Sequence, residues 1–443
     1  MSDHKVYKPK AISGFPEWLP EYRAVELQWM DKIRKVFERY GFCSIETPSV
    51  EEIEVLTAAK GGETEKEIYT LARLQADEND KDSRLALHFD LTVPMARYVA
   101  QHFNDLVFPF KRYQIQKSWR GERPQKGRSR EFYQCDIDVV NVDSLPLHFD
   151  AELPAVLFEA YQALDIPPVE LHISNRKIIV GYLQGLGIKD IPFVTRELDK
   201  LAKIGADKVL MILAEGFKGD VSLARKCMDI VQIQSADDSF IARVRTLNVE
   251  NDLLDQGLNE LKFVIDNLRH LPKGSIVANL GIIRGLDYYT GTILEVFFKG
   301  KNMAIGSGGR YDDLAGAFIG QKLPGIGVSI GLTRLFGMLL DEGYIKPGAK
   351  SPTQILVVLP DENRRAEAAA TAHMLRQRGY NVELFHSDSK VKRQLSYAER
   401  KGIPYVWFPP FEDGKPHEVK DMGSGKQVQA DPSDPRSLKE ILQ

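Results

Sequence analysis

"SWRGERPQKGRSREFYQCDIDVV" (Ser118–Val140) decides the fold. It opens on a Trp-Arg pair, crosses a basic stretch punctuated by glycine, and ends as an alternating segment. Read with the preceding "KRYQIQKSWR", it predicts two antiparallel strands joined by the ten residues "GERPQKGRSR", a long loop for a hairpin. Alternation sets Tyr133, Cys135, Ile137 and Val139 on one face of the second strand. Phe132, Gln134, Asp136 and Asp138 fall on the other, where a strand normally carries core residues. A polar face is cheap against water and costly when buried without partners. Two readings therefore stand: a solvent-facing sheet surface, or the floor of a site with Arg120 arriving from the partner strand.

The loop itself is strongly biased. From Gln116 to Arg130 run Lys117, Arg120, Arg123, Lys126, Arg128 and Arg130 against the single acid Glu122. A solvated loop usually mixes its signs, and a local patch of one sign points to an anionic partner. The whole chain does not announce one, with a formal net charge of -3 over 443 residues. That length predicts two or three domains, and 43% hydrophobic with 27% charged residues is the composition of a soluble globular protein. No apolar run approaches the roughly 18 residues of a membrane span, and "MSDHKVYKPKAISG" contains no apolar signal core. Cys43, Cys135 and Cys227 are odd in number and scattered, which argues against a disulfide framework, and no Cys/His spacing suggests zinc. A cytoplasmic protein without membrane contact is expected.

Outward from the hairpin, "PEYRAVELQWMDKIRKVFERYGF" predicts a helix, with Pro20 in its first turn, Gly41 beyond its end and one apolar stripe. The strand "FCSIETPSV" follows, and Pro48 confines it to an edge, an end or a bulge. "SRLALHFDLTVPMARYVAQHF" predicts a strand ending near Asp90 and a helix opening around Val93-Pro94. Asp90 and Thr92 at that junction are either helix caps or ligand contacts. Residues from about 190 to 265 change to helical periodicity and form an insertion between strand-bearing segments. In "PGIGVSIGLTRLFGMLLDEG", Gly327, Ser329 and Gly331 alternate onto one strand face, where small residues admit a flat ligand. Arg334 lies in the first turn of the following helix, a place that already favours anions. After the Pro/Gly linker "GYIKPGAKSPTQ", the pattern strand–helix–strand–helix–strand predicts a small α/β domain with a mainly parallel sheet.

Together these stretches resemble a known family. "WRGERPQKGRSREF" resembles motif 2 of the class II aminoacyl-tRNA synthetases, "GIGVSIGLTRL" resembles motif 3, and the helix–strand unit ending at Pro48 resembles the motif 1 dimerisation element. "RGLDYYTGTILEVF" and "GGRYDDL" are similar to the histidine-specific motifs of the histidyl-tRNA synthetases, and "SYAERKGIPYV" is similar to their anticodon-binding domain. The resemblance runs from about residue 7 to the C-terminus. It implies an α+β fold: a class II catalytic domain over 1–345, with a mixed, largely antiparallel sheet flanked by helices and carrying the insertion. A C-terminal α/β anticodon-binding domain over 352–443 and a homodimer complete it.

The resemblance also implies roles. The reaction is ATP-dependent attachment of L-histidine to its tRNA through a histidyl-adenylate. Arg120 and Arg284 would be catalytic, Arg120 holding the α-phosphate of ATP and the histidine carboxylate, with Arg284 beside that phosphate. Glu122 would contact adenine, Phe132 stack on it, and Arg334 bind the far phosphates. Asp90, Thr92 and Gln134 would hold the amino group. Asp138 and Tyr289 would read the imidazole, whose two nitrogens offer a donor and an acceptor, and Tyr311 and Gly327 would line the pocket. Gln125 is the candidate for the tRNA acceptor end. Mg²⁺ would ride on the ATP phosphates with no dedicated protein site, and Asp136 is expected to be structural. Many members carry glutamate at the positions of Asp90 and Asp138, so each side chain here is one methylene shorter and the pocket must close slightly or use water. The alternative from another class is a non-catalytic paralog such as the regulatory subunit of ATP phosphoribosyltransferase. A class II enzyme for proline, threonine or glycine would not predict "RGLDYYTG".

Overall fold

A computed structural model describes residues 7–58, 64–74, 84–125, 127–283, 289–313 and 316–434. The chain forms two compact units, Met1–Glu17 with Trp29–Ile345, and Trp18–Gln28 with Lys346–Gln443. In chain order, α1 (Pro20–Arg39) leads into β1 (Cys43–Ser44), β2 (Val50–Glu52), α2 (Ile53–Ala58), β3 (Leu85–Leu87) and α3 (Thr92–Gln101). The hairpin β4 (Phe110–Trp119) and β5 (Glu131–Val140) follows, then α4 (Phe149–Gln162), β6 (Val169–Asn175) and α5 (Arg176–Gly185). The helical stretch consists of α6 (Ile191–Asp199), α7 (Leu201–Ile204), α8 (Ala206–Gly216), α9 (Val221–Asp229), the short β7 (Gln234–Ser235), α10 (Ser239–Arg245) and α11 (Asp252–Asn267). Strands return with β8 (Ile276–Asn279), β9 (Tyr289–Phe298) and β10 (Ala304–Tyr311), followed by α12 (Gly316–Ile319), β11 (Gly325–Gly331) and α13 (Leu332–Asp341).

The first unit is built on a nine-stranded sheet in the order β1-β4-β5-β11-β10-β9-β6-β8-β7. Only β1 with β4 and β6 with β8 pair in parallel; every other pair is antiparallel. The sheet is thus mixed and largely antiparallel, within an α+β fold. β1 lies at the edge, and Pro48 falls between β1 and β2, where no ladder needs its missing N–H. Cys135, Ile137 and Val139 are fully buried on one face of β5, beside α13, while α4 packs on β11. Its other face is equally buried: Gln134, Asp136 and Asp138 are shielded from solvent, which excludes the solvent-facing reading. The loop runs one residue longer than the sequence predicts, because β4 stops at Trp119 and Arg120 leaves the strand. The Arg120 N–H still reaches the Arg130 carbonyl at 2.9 Å, closing the ladder just beyond it.

In the second unit the sheet order is β13-β12-β14-β15-β16, formed by β12 (Ile355–Val357), β13 (Val382–Leu384), β14 (Tyr405–Phe408), β15 (His417–Asp421) and β16 (Gln427–Ala430). Helices α14 (Arg365–Gln377) and α15 (Val391–Lys401) make the two parallel connections. The sequence pattern predicted the parallel strands and missed β15 and β16, which add antiparallel. "HEVKD" and "QVQA" each bring one valine among polar residues and are only partly covered, so their alternation is faint. Gln394 of α15 is fully buried and replaces strand partners: its amide donates to the Leu359 and Ser389 carbonyls and accepts from the Leu359 N–H.

Helices α5 and α11 meet through glycine. A Cβ at Gly181 would stand 2.3 Å from the Leu254 nitrogen, and one at Gly257 would stand 2.7 Å from the Ile178 nitrogen. Real side chains do not approach backbone that closely, so each glycine sets how near the helices come. Gly181→Ala is expected to destabilise the protein by about 1–3 kcal/mol through overpacking. Thermal melting of the variant checks it, and an unchanged transition would mean that the two helices do not cross here.

Candidate active site

The face of β5 that carries carboxylates lies directly opposite the small residues of β11. Gly327 pairs with Asp138, Ser329 with Asp136 and Gly331 with Gln134. Over this floor opens a recess of about 320 Å³, lined by Asp90, Thr92, Gln134, Asp136 and Asp138. Tyr289, Tyr311, Gly327 and Arg120 also line it. Tight backbone packing makes the floor flat. A Cβ on Gly327 would sit 2.0 Å from the Asp138 Oδ1, and one on Gly308 would sit 2.2 Å from the Gly327 carbonyl oxygen.

Asp138 is clamped from both sides. The Tyr311 hydroxyl donates to its Oδ1 at 2.9 Å, and the Arg112 guanidinium lies 2.6 Å from its Oδ2. Arg112 is the residue opposite Asp138 in the β4–β5 register and has no solvent exposure. It also donates to the Leu91 carbonyl at 3.2 Å and to the Gln114 Oε1 at 3.3 Å. Sequence reading missed Arg112. The signal was its even spacing from Arg120 along β4, which places Arg112, Gln114, Gln116 and Ser118 on one face, all buried. The shorter aspartate at 138 is met from behind by an arginine on the next strand.

Three other acceptors on the same floor are left without partners. Asp90 accepts from the Val93 N–H at 3.1 Å through Oδ1, capping α3, while its buried Oδ2 has no partner. One oxygen of this carboxylate thus caps the helix start, and the other meets no hydrogen-bond partner among the described residues. Gln134 donates from Nε2 to the Ser329 Oγ at 2.9 Å and leaves Oε1 unpartnered, and Asp136 leaves Oδ1 unpartnered. Burial pushes Asp90 above the ordinary carboxylate range, against the Val93 N–H and the Arg120 charge. Burial likewise raises Asp138, opposed by Arg112. Asp136 is pushed up to about 7, chiefly by burial, with Asp138 and Asp90 adding to the rise and Arg112 and the Ser329 hydroxyl opposing it.

Beyond Arg120 lies a second recess of about 220 Å³, sharing Arg120, Gln134, Glu295, Ser307 and Ser329 with the first. Its character is cationic. Arg334, in the first turn of α13, donates from Nε to the Gly127 carbonyl at 2.7 Å and from Nη1 to the Ala304 carbonyl at 3.0 Å. Burial, followed by the Arg128 and Arg120 charges, holds Arg334 below the ordinary arginine value. Arg128 pairs with Glu122 at 2.7 Å. The Arg120 guanidinium stacks 5.2 Å above the Phe132 ring and donates to the Phe89 carbonyl at 3.0 Å. Three arginines around one recess repel one another and favour an anion between them. Gln125 lies exposed in the loop, where its backbone pairs with Arg128, and lines neither recess. Arg284 lies outside the described residues.

The family described as histidyl-tRNA synthetase matches residues 14–335, and an anticodon-binding domain family matches residues 354–434. A histidine–tRNA ligase of Thermobifida fusca is 56% identical over 438 residues, covering 98% of this chain and 99% of that protein. One from Micrococcus luteus is 44% identical, covering 96% of this chain and 95% of that protein. A crystal structure of histidyl-tRNA synthetase from Nostoc sp. PCC 7120 superposes with a TM-score of 0.86 at 37% identity, over 98% of this chain and 100% of that one.

Removing one partner from a buried ion pair leaves an uncompensated charge, which typically costs about 3–5 kcal/mol. Arg112→Met is therefore expected to lower stability by that amount at pH 7. An acid whose pKa is raised in the folded state destabilises fully above that pKa and not at all below its unfolded value. Because burial raises Asp138, the deficit should shrink toward pH 5 as its carboxyl protonates in the variant. Chemical denaturation of both proteins at the two pH values checks this. An equal deficit at both would mean that Asp138 is not the group left exposed.

Proposed function

We propose, on the premise that this chain belongs to the histidyl-tRNA synthetase family, that its two recesses divide the amino acid from the nucleotide. The chain is a class II histidine–tRNA ligase. The observation that carries the division is the change of sign at Arg120: unpartnered acceptors on one side of it, arginines on the other. A free amino acid has both signs. Its ammonium fits the acceptors at Asp90, Thr92 and Gln134, and its carboxylate then faces Arg120. Asp138 accepts from one imidazole nitrogen, since carboxylate oxygens held by Arg112 and Tyr311 retain further lone pairs. Tyr289 serves the other nitrogen, and Tyr311 and Gly327 shape the pocket. Amino acids lacking both ring nitrogens would leave these buried groups unpaired, which discriminates strongly without editing.

In the second recess Phe132 stacks on adenine, Glu122 contacts its edge and Arg334 holds the far phosphates. A carboxylate oxygen of histidine attacks the α-phosphorus, and the bond to pyrophosphate breaks. Arg120 and Arg284 neutralise the charge gathering there, so positioning and electrostatics carry the step without a protein nucleophile. A hydroxyl of the terminal tRNA ribose then attacks the acyl carbon and AMP leaves. Among the described residues no group of three or more potential ligands could hold a metal. Mg²⁺ carried by the ATP phosphates would supply further charge neutralisation there. Gln125, exposed on its loop, would meet the acceptor end. The unit after Ile345 binds the anticodon, with domain limits at 1–345 and 352–443. We further assign a cytoplasmic homodimer; no helix among the described residues is long and apolar enough to cross a membrane.

Pyrophosphate–ATP exchange across all twenty amino acids tests this reading, with exchange expected for histidine alone. In Arg284→Ala the rate should fall by at least about 10²-fold with the melting transition unchanged. Near-normal exchange in that variant would remove Arg284 from the chemistry. No exchange in the unaltered protein would return the regulatory-subunit reading.

A further inference from the structure

The mechanism above leaves one buried carboxylate of the first recess unused. Asp136 is only 3% exposed, lines the recess and carries an oxygen, Oδ1, with no hydrogen-bond partner. An acceptor left this way in a dry site costs about 1–3 kcal/mol, so it calls for an occupant. On the residues that line this recess, the unpartnered buried atoms are Asp90 Oδ2, Gln134 Oε1 and Asp136 Oδ1, and all are acceptors. A primary ammonium presents three N–H donors and no acceptor. The unpartnered buried atoms are thus all of the kind an ammonium satisfies.

We propose that Asp136 Oδ1 is a further acceptor for the ammonium group of the bound amino acid, beside Asp90, Thr92 and Gln134. The assignment rests on the reading of this recess as the histidine pocket. Asp136 lies between Gln134 and Asp138 on β5, and its neighbours decide which end of the ligand it serves. Ser329 stands opposite it on β11, and the Gln134 amide donates to the Ser329 Oγ. Asp136 and Gln134 thus border one hydroxyl, at the ammonium end. Asp138 is held apart from them by Arg112 and Tyr311.

The charges agree. Asp136 is faced by Arg112 from β4, by Asp138 along its own strand and by Asp90 ahead of α3, with Arg120 also lining the recess. Tyr289 and Glu295 from β9 and Tyr311 from β10 complete the ionisable lining. Burial, with two nearby carboxylates adding to it, raises Asp136, and a cation entering beside it would oppose that rise. Binding should therefore release a proton near neutrality.

The test compares histidine with its desamino analogue imidazolepropionate, which keeps ring and carboxylate and lacks only the ammonium. In Asp136→Asn, equilibrium binding of histidine is expected to weaken about 10- to 100-fold, while binding of imidazolepropionate stays unchanged. Equal weakening of both ligands, or of neither, overturns the proposal. Should the variant fail to fold, the unaltered protein decides. Its preference for histidine over imidazolepropionate should grow with pH up to about 7 and level off above, and a preference flat across that range overturns the proposal. If the unaltered protein binds neither ligand, the pocket assignment itself fails and this inference with it, an outcome distinct from loss of selectivity in the variant.

Discussion

Arg112 and Asp138, opposed across two neighbouring strands and both shielded from water, make the rest of the first recess possible. Moving a carboxylate into a protein interior costs several kcal/mol unless a partner meets it, and this floor buries three. The Arg112 guanidinium pairs directly with one, and its field lowers the pKa of the other two. Burial holds all three above the ordinary range even so, and Asp138 and Asp90 raise Asp136 further. On the proposed reading a substrate ammonium offsets this burial of negative charge.

Backbone supplies the second constraint. The floor has to be polar, buried and thin, and Gly308 and Gly327 on β10 and β11 meet that need by leaving no side chain between sheet and recess. The closeness of Gly327 to Asp138 also limits where that carboxylate can point, so the glycine acts on the chemistry as well as on the packing. Ser329, the one hydroxyl in that alternation, stands where Gln134 and Asp136 both need a partner.

Much of this was legible in the sequence, and the parts that were not share a cause. Period-two alternation placed Gln134, Asp136 and Asp138 on one face, and the small residues of β11 marked where a ligand could approach. Alternation says which face a residue occupies and nothing about what stands opposite it. For that reason Arg112 drew no notice in the sequence, although the β4–β5 register makes it the counter-ion of Asp138. Asp136 read as structural, and nothing in the sequence shows that Ser329, almost two hundred positions away in the chain, stands opposite it. β15 and β16 were missed for a related reason: they lie at one side of a small sheet with one valine each, so hydrophobic pattern carried little of their signal.

The two recesses together explain why one loop holds so much positive charge next to a strand of carboxylates. On the proposed reading a zwitterion in the first recess lies with its ammonium toward Asp90, Gln134 and Asp136 and its carboxylate toward Arg120. Arg120 belongs to both recesses, stacked on Phe132 and anchored to the Phe89 carbonyl. That anchoring fixes where an amino-acid carboxylate and a phosphate can meet, and two anions are otherwise reluctant to approach. On the same reading Arg334 and Arg128 meet the nucleotide from the other side, where Glu122 and Glu295 offset part of their charge. Each recess would then carry an excess of the charge that its own substrate offsets. The boundary between the two fields is where carboxylate and α-phosphorus must be brought together.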